Sequence, residues 1–329
     1  MYTKITFPIL AAPIQIAHQD TLYTCGSCFA EELTNRLKTY KFKVHEHPFG
    51  IVFNPLSIAS QLQHIINQRY YSLDDLVFND GLYHSLDHHS AYSNADKNIV
   101  LESINPPLES AFNALASGTV CVITFGSAHY YRDTNNLQIA ANCHKLPASH
   151  FEKKRAQIDE ILEAMKAVFA QLKKINKDIK IILTVSPVRY FKDGIIENNR
   201  SKAVLHLCCE ELCNVFDFVS YFPAYEIFMD DLRDYRYVKE DLVHPNKMAI
   251  DYIWTYFEKS YLSSSTHQAI HELDQFHKLL HHKILNKRAD SFPVFLQKLD
   301  TSLKALQVRF PEFDFTTEKL FIENIQNEH

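Results

Sequence analysis

Residues 21–40 read Thr-Leu-Tyr-Thr-Cys-Gly-Ser-Cys-Phe-Ala-Glu-Glu-Leu-Thr-Asn-Arg-Leu-Lys-Thr-Tyr, and they join a strand pattern to a helix pattern. Residues 21–24 are typical of a short strand. Four apolar side chains then recur at helical spacing: Phe29, Leu33, Leu37 and Tyr40. Ser27 lies at the junction, where the N–H groups and dipole of a helix N-terminus favour developing negative charge. The stretch therefore predicts a nucleophilic serine at the end of a first strand.

Strand and helix patterns alternate through the first 260 residues. Further strand candidates are residues 42–47, 119–125, 179–185 and 215–219, and helix-like segments are residues 31–40, 106–116, 151–175 and 202–212. The runs 120–125 and 179–185 are typical of central parallel strands covered on both faces. This alternation predicts a doubly wound, mostly parallel α/β sheet, with ligands bound at the carboxyl ends of its strands. Residues that directly follow strand candidates should share that face: Ser27, Gly50, Gly126 and Arg189.

Two segments depart from the alternation. Residues 56–117 form an insertion with helical ends and a hairpin around Asn79-Asp80-Gly81. The histidine-rich loop that follows has irregular spacing, which favours a polar loop over the catalytic face rather than a metal site, and His89 is its candidate substrate-binding residue. Residues 261–329 carry two apolar-periodic runs, which predict a helical hairpin packed on the main domain or on a second subunit. We therefore divide the chain into a domain of residues 1–260 and a helical extension of residues 261–329.

The sequence Asp241-Leu-Val-His244-Pro245 supplies a carboxylate and an imidazole just before a final amphipathic helix pattern. A carboxylate beside histidine fixes the tautomer of the ring and stabilises the imidazolium that forms when the ring takes a proton from serine. Ser27, Asp241 and His244 thus provide nucleophile, orienting acid and base, in that chain order.

At these residues the chain resembles the GSCFA family, a branch of the SGNH/GDSL hydrolase superfamily, whose naming motif is Gly26-Ser27-Cys28-Phe29-Ala30. The resemblance covers most of residues 1–260. It continues through Asn54-Pro55, Gly126-Ser-Ala, residues 141–145, 184–189 and 221–226, and Asp241-x-x-His244-Pro245. It implies a flavodoxin-like three-layer fold and a serine esterase in which Ser27, His244 and Asp241 form the triad. The implied substrate is a small-molecule ester, with an acyl group on a carbohydrate as one candidate.

The resemblance also implies an oxyanion hole, because a tetrahedral intermediate needs donors already aimed at its oxygen. Relatives in the superfamily use a glycine N–H after the second strand, and Gly50 has that position. They use an asparagine after the third strand, where Gly126-Ser-Ala-His129 departs from the expected Gly-x-Asn-Asp pattern. Asn142 is the substitute that this sequence offers, with a turn residue as its alternative role. Arg189 is a candidate for binding a polar or anionic part of the substrate.

Two other functions remain open for the same residues. Cys25 and Cys28 form a Cys-x-x-Cys pair at the junction, which is where a thiol-disulfide oxidoreductase would place its redox centre. A binding module on this fold would leave the triad unused. Ser27 itself could be a helix N-cap, although Ala30 stands where a capping box needs Glu or Gln.

Composition narrows the class of protein further. The 329 residues are 46% hydrophobic with a net charge of −5 and no basic run, which disfavours nucleic acid as a partner. The chain has only six glycines and no phosphate-loop motif, so the sequence does not indicate a nucleotide cofactor. Neither a metal nor another cofactor is expected. An odd number of cysteines, a poor signal-peptide pattern and no apolar span predict a reduced, cytoplasmic protein without membrane contact. The C-terminal helices are the candidate surface for a homo-oligomer.

Overall fold

The computed structural model describes residues 7–282 and 291–327. The strands in chain order are β1 (Thr21–Gly26), β2 (Lys43–Glu46), β3 (Leu76–Asn79), β4 (Leu82–Ser85), β5 (Val120–Phe125), β6 (His129–Asp133), β7 (Ile139–Ala140), β8 (Phe151–Arg155), β9 (Lys180–Val185) and β10 (Val219–Phe222). The helices are α1 (Cys28–Thr39), α2 (Pro55–Ile66), α3 (Lys97–Ile104), α4 (Pro106–Ser117), α5 (Ile158–Ile175), α6 (Ile195–Val215), α7 (Ala224–Glu226), α8 (Lys247–Tyr261), α9 (Ser264–Leu280), α10 (Ser291–Arg309) and α11 (Thr316–Asn327).

Five of these strands form one parallel sheet in the order β2-β1-β5-β9-β10. All six residues of β5 are buried, because the sheet is covered on both faces. The β1 side chains alternate between two apolar clusters, with Tyr23 in one and Leu22 in the other. The predicted α/β class with a mostly parallel sheet is confirmed. The strand order reverses between β1 and β5, and in open α/β sheets ligands bind at such a switch point.

The helices cover the two faces unequally. Helices α2, α4, α5 and α6 contribute to one apolar cluster, which contains the insertion as well. Helices α1 and α8 contribute to the other, and they are joined there by α9, α10 and α11. The extension therefore packs on the α1 and α8 side of the sheet. Lys41 and Glu318 form an ion pair of 2.6 Å across that boundary, with side chains only 11% and 9% exposed. The first apolar run expected in residues 261–329 consists of Ile270, Leu273, Leu280 and Ile284, and Ile284 lies outside the described residues.

Two predicted elements are wrong in part. The strand expected at residues 215–219 begins at Val219, since α6 continues to Val215 and buries Leu205, Cys208 and Leu212. The helix expected at residues 151–175 begins at Ile158. Residues 151–155 pair instead with β6 as an antiparallel strand, and this tertiary pairing overrides the helix propensity of Glu-Lys-Lys-Arg.

The hairpin expected in the insertion is confirmed. Strands β3 and β4 pair antiparallel, and Asp80 and Gly81 between them have φ values of 49° and 77°. Two consecutive positive φ values are what a two-residue type I′ turn requires. The small antiparallel sheet β7-β6-β8 follows β5 and had no counterpart in the sequence prediction. In the part of the chain that the structure describes, no helix is both long enough and apolar enough to cross a membrane.

Candidate active site

The junction between β1 and α1 is built around Gly26. Its φ of +128° lies in the region that side chains rarely adopt, and a Cβ there would lie 2.2 Å from the backbone oxygen of Thr124 in β5. Only glycine lets the two strands approach this closely before the chain turns into the helix. Ser27 follows as the N-cap residue of α1, with its N–H donating to Thr124 O over 3.1 Å.

Ser27 does not perform the usual task of an N-cap side chain. Its side chain makes no capping hydrogen bond, and its Oγ is buried without any hydrogen-bond partner in the described residues. The residue is 2% exposed and borders a hollow of about 90 Å³, together with His47, Gly50 and Glu31. A buried hydroxyl without a partner is costly for stability, and the hydroxyls of Ser57, Thr124 and Thr184 share this state, so the feature alone does not single out Ser27.

Asp241 and His244 meet at the carboxyl side of the same sheet. The His244 Nδ1–Asp241 Oδ2 distance is 2.7 Å, and Asp241 Oδ1 accepts from the N–H groups of His244 and Val243 at 3.0 and 2.9 Å. The N–H groups of His244 and Val243, followed by the imidazole, lower the pKa of Asp241 to about 2. Leu242, with a φ of +59°, makes the tight turn that brings the two side chains together. The carboxylate is therefore ionised and directed at the ring.

His244 and Ser27 border neighbouring hollows. His244, Asp241 and Cys28 line a second hollow of about 210 Å³, and Glu31 lines both. Ser27 Oγ does not hydrogen-bond His244 in this structure. The structure thus joins Asp241 to His244 by a hydrogen bond. Ser27 is the N-cap of α1, and the next residue, Cys28, lines the hollow of His244.

The candidate oxyanion donors differ in their surroundings. Gly50 lies beside Ser27, but its N–H donates to His47 O over 3.1 Å. Asn142 borders neither hollow; its Oδ1 accepts from His144 N at 3.0 Å, which is the contact of a turn residue, and its N–H donates to Leu86 O. The first N–H groups of α1, those of Cys28 and Phe29, have no carbonyl four residues earlier within the helix.

The two candidate substrate-binding residues lie at the edges of this region. His89 contacts Gly50: a Cβ on Gly50 would lie 2.7 Å from the His89 Cβ. The ring of His89 accepts from Ala91 N at 3.3 Å and so caps a short helical turn. Arg189 lines a separate cavity of about 220 Å³, and its guanidinium lies 4.8 Å from the centre of the Phe191 ring. Its neighbour Val188 borders the His244 hollow.

The cysteines of the junction occupy different environments. Cys25 is buried, and a hydrogen bond with Cys121, together with burial, raises its thiol pKa well above the usual value. Burial also raises the pKa of Cys28. All seven cysteines of the chain are free thiols. A redox-active pair needs a lowered thiol pKa, and neither cysteine has one.

Two buried polar groups near the site were not predicted from the sequence. His47, on the wall of the Ser27 hollow, bonds Tyr23 Oη and Gln61 Oε1 at 2.5 and 2.8 Å, and burial lowers its pKa to about 4. Lys202 donates from Nζ to the carbonyl oxygens of Gly126 and Ser186, each at 2.8 Å, and burial lowers its pKa to about 7. Lys202 follows a polar Asn-Asn-Arg-Ser run that resembles a solvent-facing helix surface, so no pattern in the sequence identifies it.

Comparison with known proteins identifies the family of the chain. No group of three or more potential metal-binding side chains occurs among the described residues. A search of curated proteins finds no match. The model of the GSCFA family matches residues 21–257, a range that includes the junction at Ser27 and the Asp241–His244 pair. Because this match covers well over half of the chain, the protein belongs to the GSCFA family.

Proposed function

We propose that this protein is a serine ester hydrolase of the SGNH/GDSL type, with Ser27 as nucleophile, His244 as base and Asp241 as the group that orients the base. The observation that carries the proposal is the 2.7 Å hydrogen bond between Asp241 and His244, at the carboxyl edge of the sheet where Ser27 follows β1. Membership of the GSCFA family supports the choice of residues, since the family match includes all three.

The proposed reaction has two halves, acylation of Ser27 and hydrolysis of the acyl-serine, and His244 transfers protons in both. With Nδ1–H donating to Asp241, the Nε2 lone pair of His244 takes the proton of Ser27 while Oγ attacks the ester carbonyl carbon. Collapse of the tetrahedral intermediate breaks the bond to the alcohol oxygen, which receives that proton from the imidazolium. Water, activated by the same imidazole, then hydrolyses the acyl-serine and returns the enzyme to its starting state.

The proposal requires Ser27 Oγ and His244 Nε2 to approach when substrate binds. Catalytic hydrogen bonds are often long without substrate and tighten in the complex. The first N–H groups of α1 are the best-placed donors for the oxyanion, because a helix N-terminus stabilises negative charge. Gly50 would join them once its bond to His47 O gives way. Asn142 remains a weaker candidate for this role because its oxygen already serves a turn.

The size of the Ser27 hollow bears on the substrate. About 90 Å³ accommodates a short acyl group and little more. We infer a small O-acyl ester, with the alcohol portion extending toward the larger hollow of His244 or toward Arg189. An acylated carbohydrate fits this description.

A fluorophosphonate probe tests the nucleophile without knowledge of the substrate. We expect the wild-type protein to form one covalent adduct on Ser27 and Ser27→Ala to form none. Ser127→Ala is the matched control, because Ser127 follows β5 on the same face, and it should label normally. Labelling that survives in Ser27→Ala, or an adduct mapped to another residue, would disprove the assignment.

The oxidoreductase alternative has no support, because a hydrogen bond with Cys121 and burial raise the pKa of the Cys25 thiol, and burial raises that of Cys28. Cys25→Ala should therefore leave probe labelling intact. If the wild type reduced a disulfide substrate and Cys25→Ala did not, the redox function would replace the hydrolase. A binding module is the third possibility, and the substitutions of Asp241 and His244 described in the Discussion test it.

A further inference from the structure

A polar cavity lies in the insertion, apart from the two hollows of the candidate active site. It measures about 500 Å³, is open to solvent, and is bordered by α2, the β3–β4 hairpin and β7. This is more than twice the volume of either hollow near Ser27 and His244. Cavities of about 300–1,000 Å³ are the usual size of small-molecule sites. None of the proposed triad residues borders it.

Several polar side chains that line this cavity form no hydrogen bond within the described chain. The side chains of Gln63, Asn67 and Gln138 form no hydrogen bond with any other described residue. His64 borders the cavity as well, but its Nδ1 is inaccessible and so does not contribute to the lining. Planar amides that both donate and accept suit a ligand that also does both. An occupant rich in hydroxyl groups would satisfy them.

The charges and the aromatic group of the lining restrict the ligand further. Arg69 pairs with Asp75 over 3.4 Å, and Tyr71 donates to Asp87 Oδ2 over 2.7 Å. Carboxylates on the wall disfavour a phosphate or another anion. Tyr71 and His64 stack beside the cavity with ring centres 5.0 Å apart, and because Tyr71 is only 6% exposed, His64 is the aromatic side chain that a ligand can contact. The lining is too polar for a hydrocarbon chain.

We propose that this cavity binds a polyhydroxylated small molecule of monosaccharide size. A hydrogen-bond chain connects it to the candidate active site: Gln61 donates from Nε2 to Asp87 O at 2.5 Å, and its Oε1 contacts His47 Nε2 at 2.8 Å. His47 borders the Ser27 hollow. Asp87, Gln61 and His47 therefore connect the sugar site to the site of the proposed hydrolysis. The sugar-binding proposal does not depend on the hydrolase proposal.

Ligand-observed NMR and calorimetry on the full chain test the site. The probes are D-glucose, D-galactose, D-glucosamine and N-acetyl-D-glucosamine, each titrated into the millimolar range. We expect saturable binding of at least one sugar. Gln63→Leu and Gln138→Leu should each weaken it at least tenfold, because each removes polar groups that form no hydrogen bond with the rest of the described chain.

Matched controls separate this site from the proposed hydrolase. Gln297→Leu, on the exposed surface of α10, and Ser27→Ala should both bind the sugar as the wild type does. Circular dichroism and the unfolding midpoint establish that each variant is folded. The proposal is overturned if none of the four sugars binds saturably, or if binding is unchanged in both cavity variants. Failure of fluorophosphonate labelling would leave the sugar result unaffected, so the two proposals fail separately.

Discussion

At the residue scale, the Asp241–His244 pair makes the most direct prediction. Asp241→Asn keeps an oxygen for the N–H groups of Val243 and His244, but its amide nitrogen would donate to the imidazole and favour the wrong tautomer. The equivalent change in a serine protease lowers kcat about 10⁴-fold. We expect a loss of at least about 10³-fold in kcat on p-nitrophenyl acetate, with the fold retained.

Asp314→Asn is the control for this experiment, because Asp314 also accepts from the backbone but lies outside both hollows and outside the Arg189 cavity. It should keep wild-type activity. His244→Ala should lose activity as Asp241→Asn does. If both Asp241→Asn and His244→Ala hydrolyse the ester at near wild-type rates, the pair is not catalytic and the binding module becomes the better interpretation.

Lys202 predicts an unusual dependence of stability on pH. Its pKa is about 7 in the folded chain because of burial, whereas an exposed lysine titrates near 10.4. Between these values the unfolded chain binds more protons, so this residue makes stability rise as pH increases. The slope from one such group is at most about 1.4 kcal/mol per pH unit. A neutral amine still donates to both carbonyl oxygens, so the contacts survive deprotonation.

Urea unfolding at pH 7, 8 and 9 measures this contribution. Buried thiols titrate with the opposite sign, so the informative quantity is the difference in slope between wild type and Lys202→Met. We expect the wild type to gain roughly 1 kcal/mol per pH unit relative to Lys202→Met. Lys166→Met, which alters a partly exposed pair with Glu211, should keep the wild-type slope. Equal slopes in wild type and Lys202→Met would show that Lys202 is not titrating in this range.

At the scale of elements, the contact between β1 and β5 depends on Gly26. Gly26 and Gly194 both have positive φ, at 128° and 91°. A Cβ on Gly26 would lie 2.2 Å from the Thr124 backbone, whereas one on Gly194 would meet no described residue within 4 Å. Gly194→Ala should cost about 1–2 kcal/mol of unfolding free energy from its backbone conformation. Gly26→Ala should cost at least about 3 kcal/mol more, or prevent folding. Similar unfolding midpoints for the two variants would contradict this account.

The elements also show what a sequence can and cannot predict. The β1–α1 junction and the Asn79-Asp80-Gly81 turn were predictable, because local chemistry determines both. Strand β8 was not predictable, because it forms by pairing with β6, a tertiary contact that its charged sequence does not indicate. The Asp241–His244 pairing followed from a short spacing. His47, Gln61 and Lys202 acquire their roles only through burial, which brings together groups distant in the chain.

At the scale of the whole molecule, the Lys41–Glu318 ion pair ties α11 to the loop after α1. Glu318→Ala leaves a mostly buried ammonium without its carboxylate, and we expect a loss of about 2–4 kcal/mol in unfolding free energy. Glu46→Ala, which breaks the exposed pair with Lys38, should cost less than about 1 kcal/mol. Urea denaturation compares them. If both cost the same, the extension contributes little through this contact.

The division at residue 260, the cytoplasmic location and a homo-oligomer through the C-terminal helices stay predictions. The extension shares an apolar cluster with α1 and α8, so part of its surface is already covered within one chain. Val294, Val308 and Leu320 remain exposed on α10 and α11. Light scattering coupled to size exclusion would measure whether these side chains associate.

The strand order has a consequence for how the chain is made. Strand β1 lies between β2 and β5, and β5 begins about 100 residues after β1. At about 5–20 residues per second of synthesis, one edge of β1 waits roughly 5–20 s for its neighbour to leave the ribosome. During that interval an apolar strand has no partner on that side, and such edges associate readily with other chains. Among the strands of this sheet, β1, which leads directly into Ser27, therefore waits longest for a neighbour.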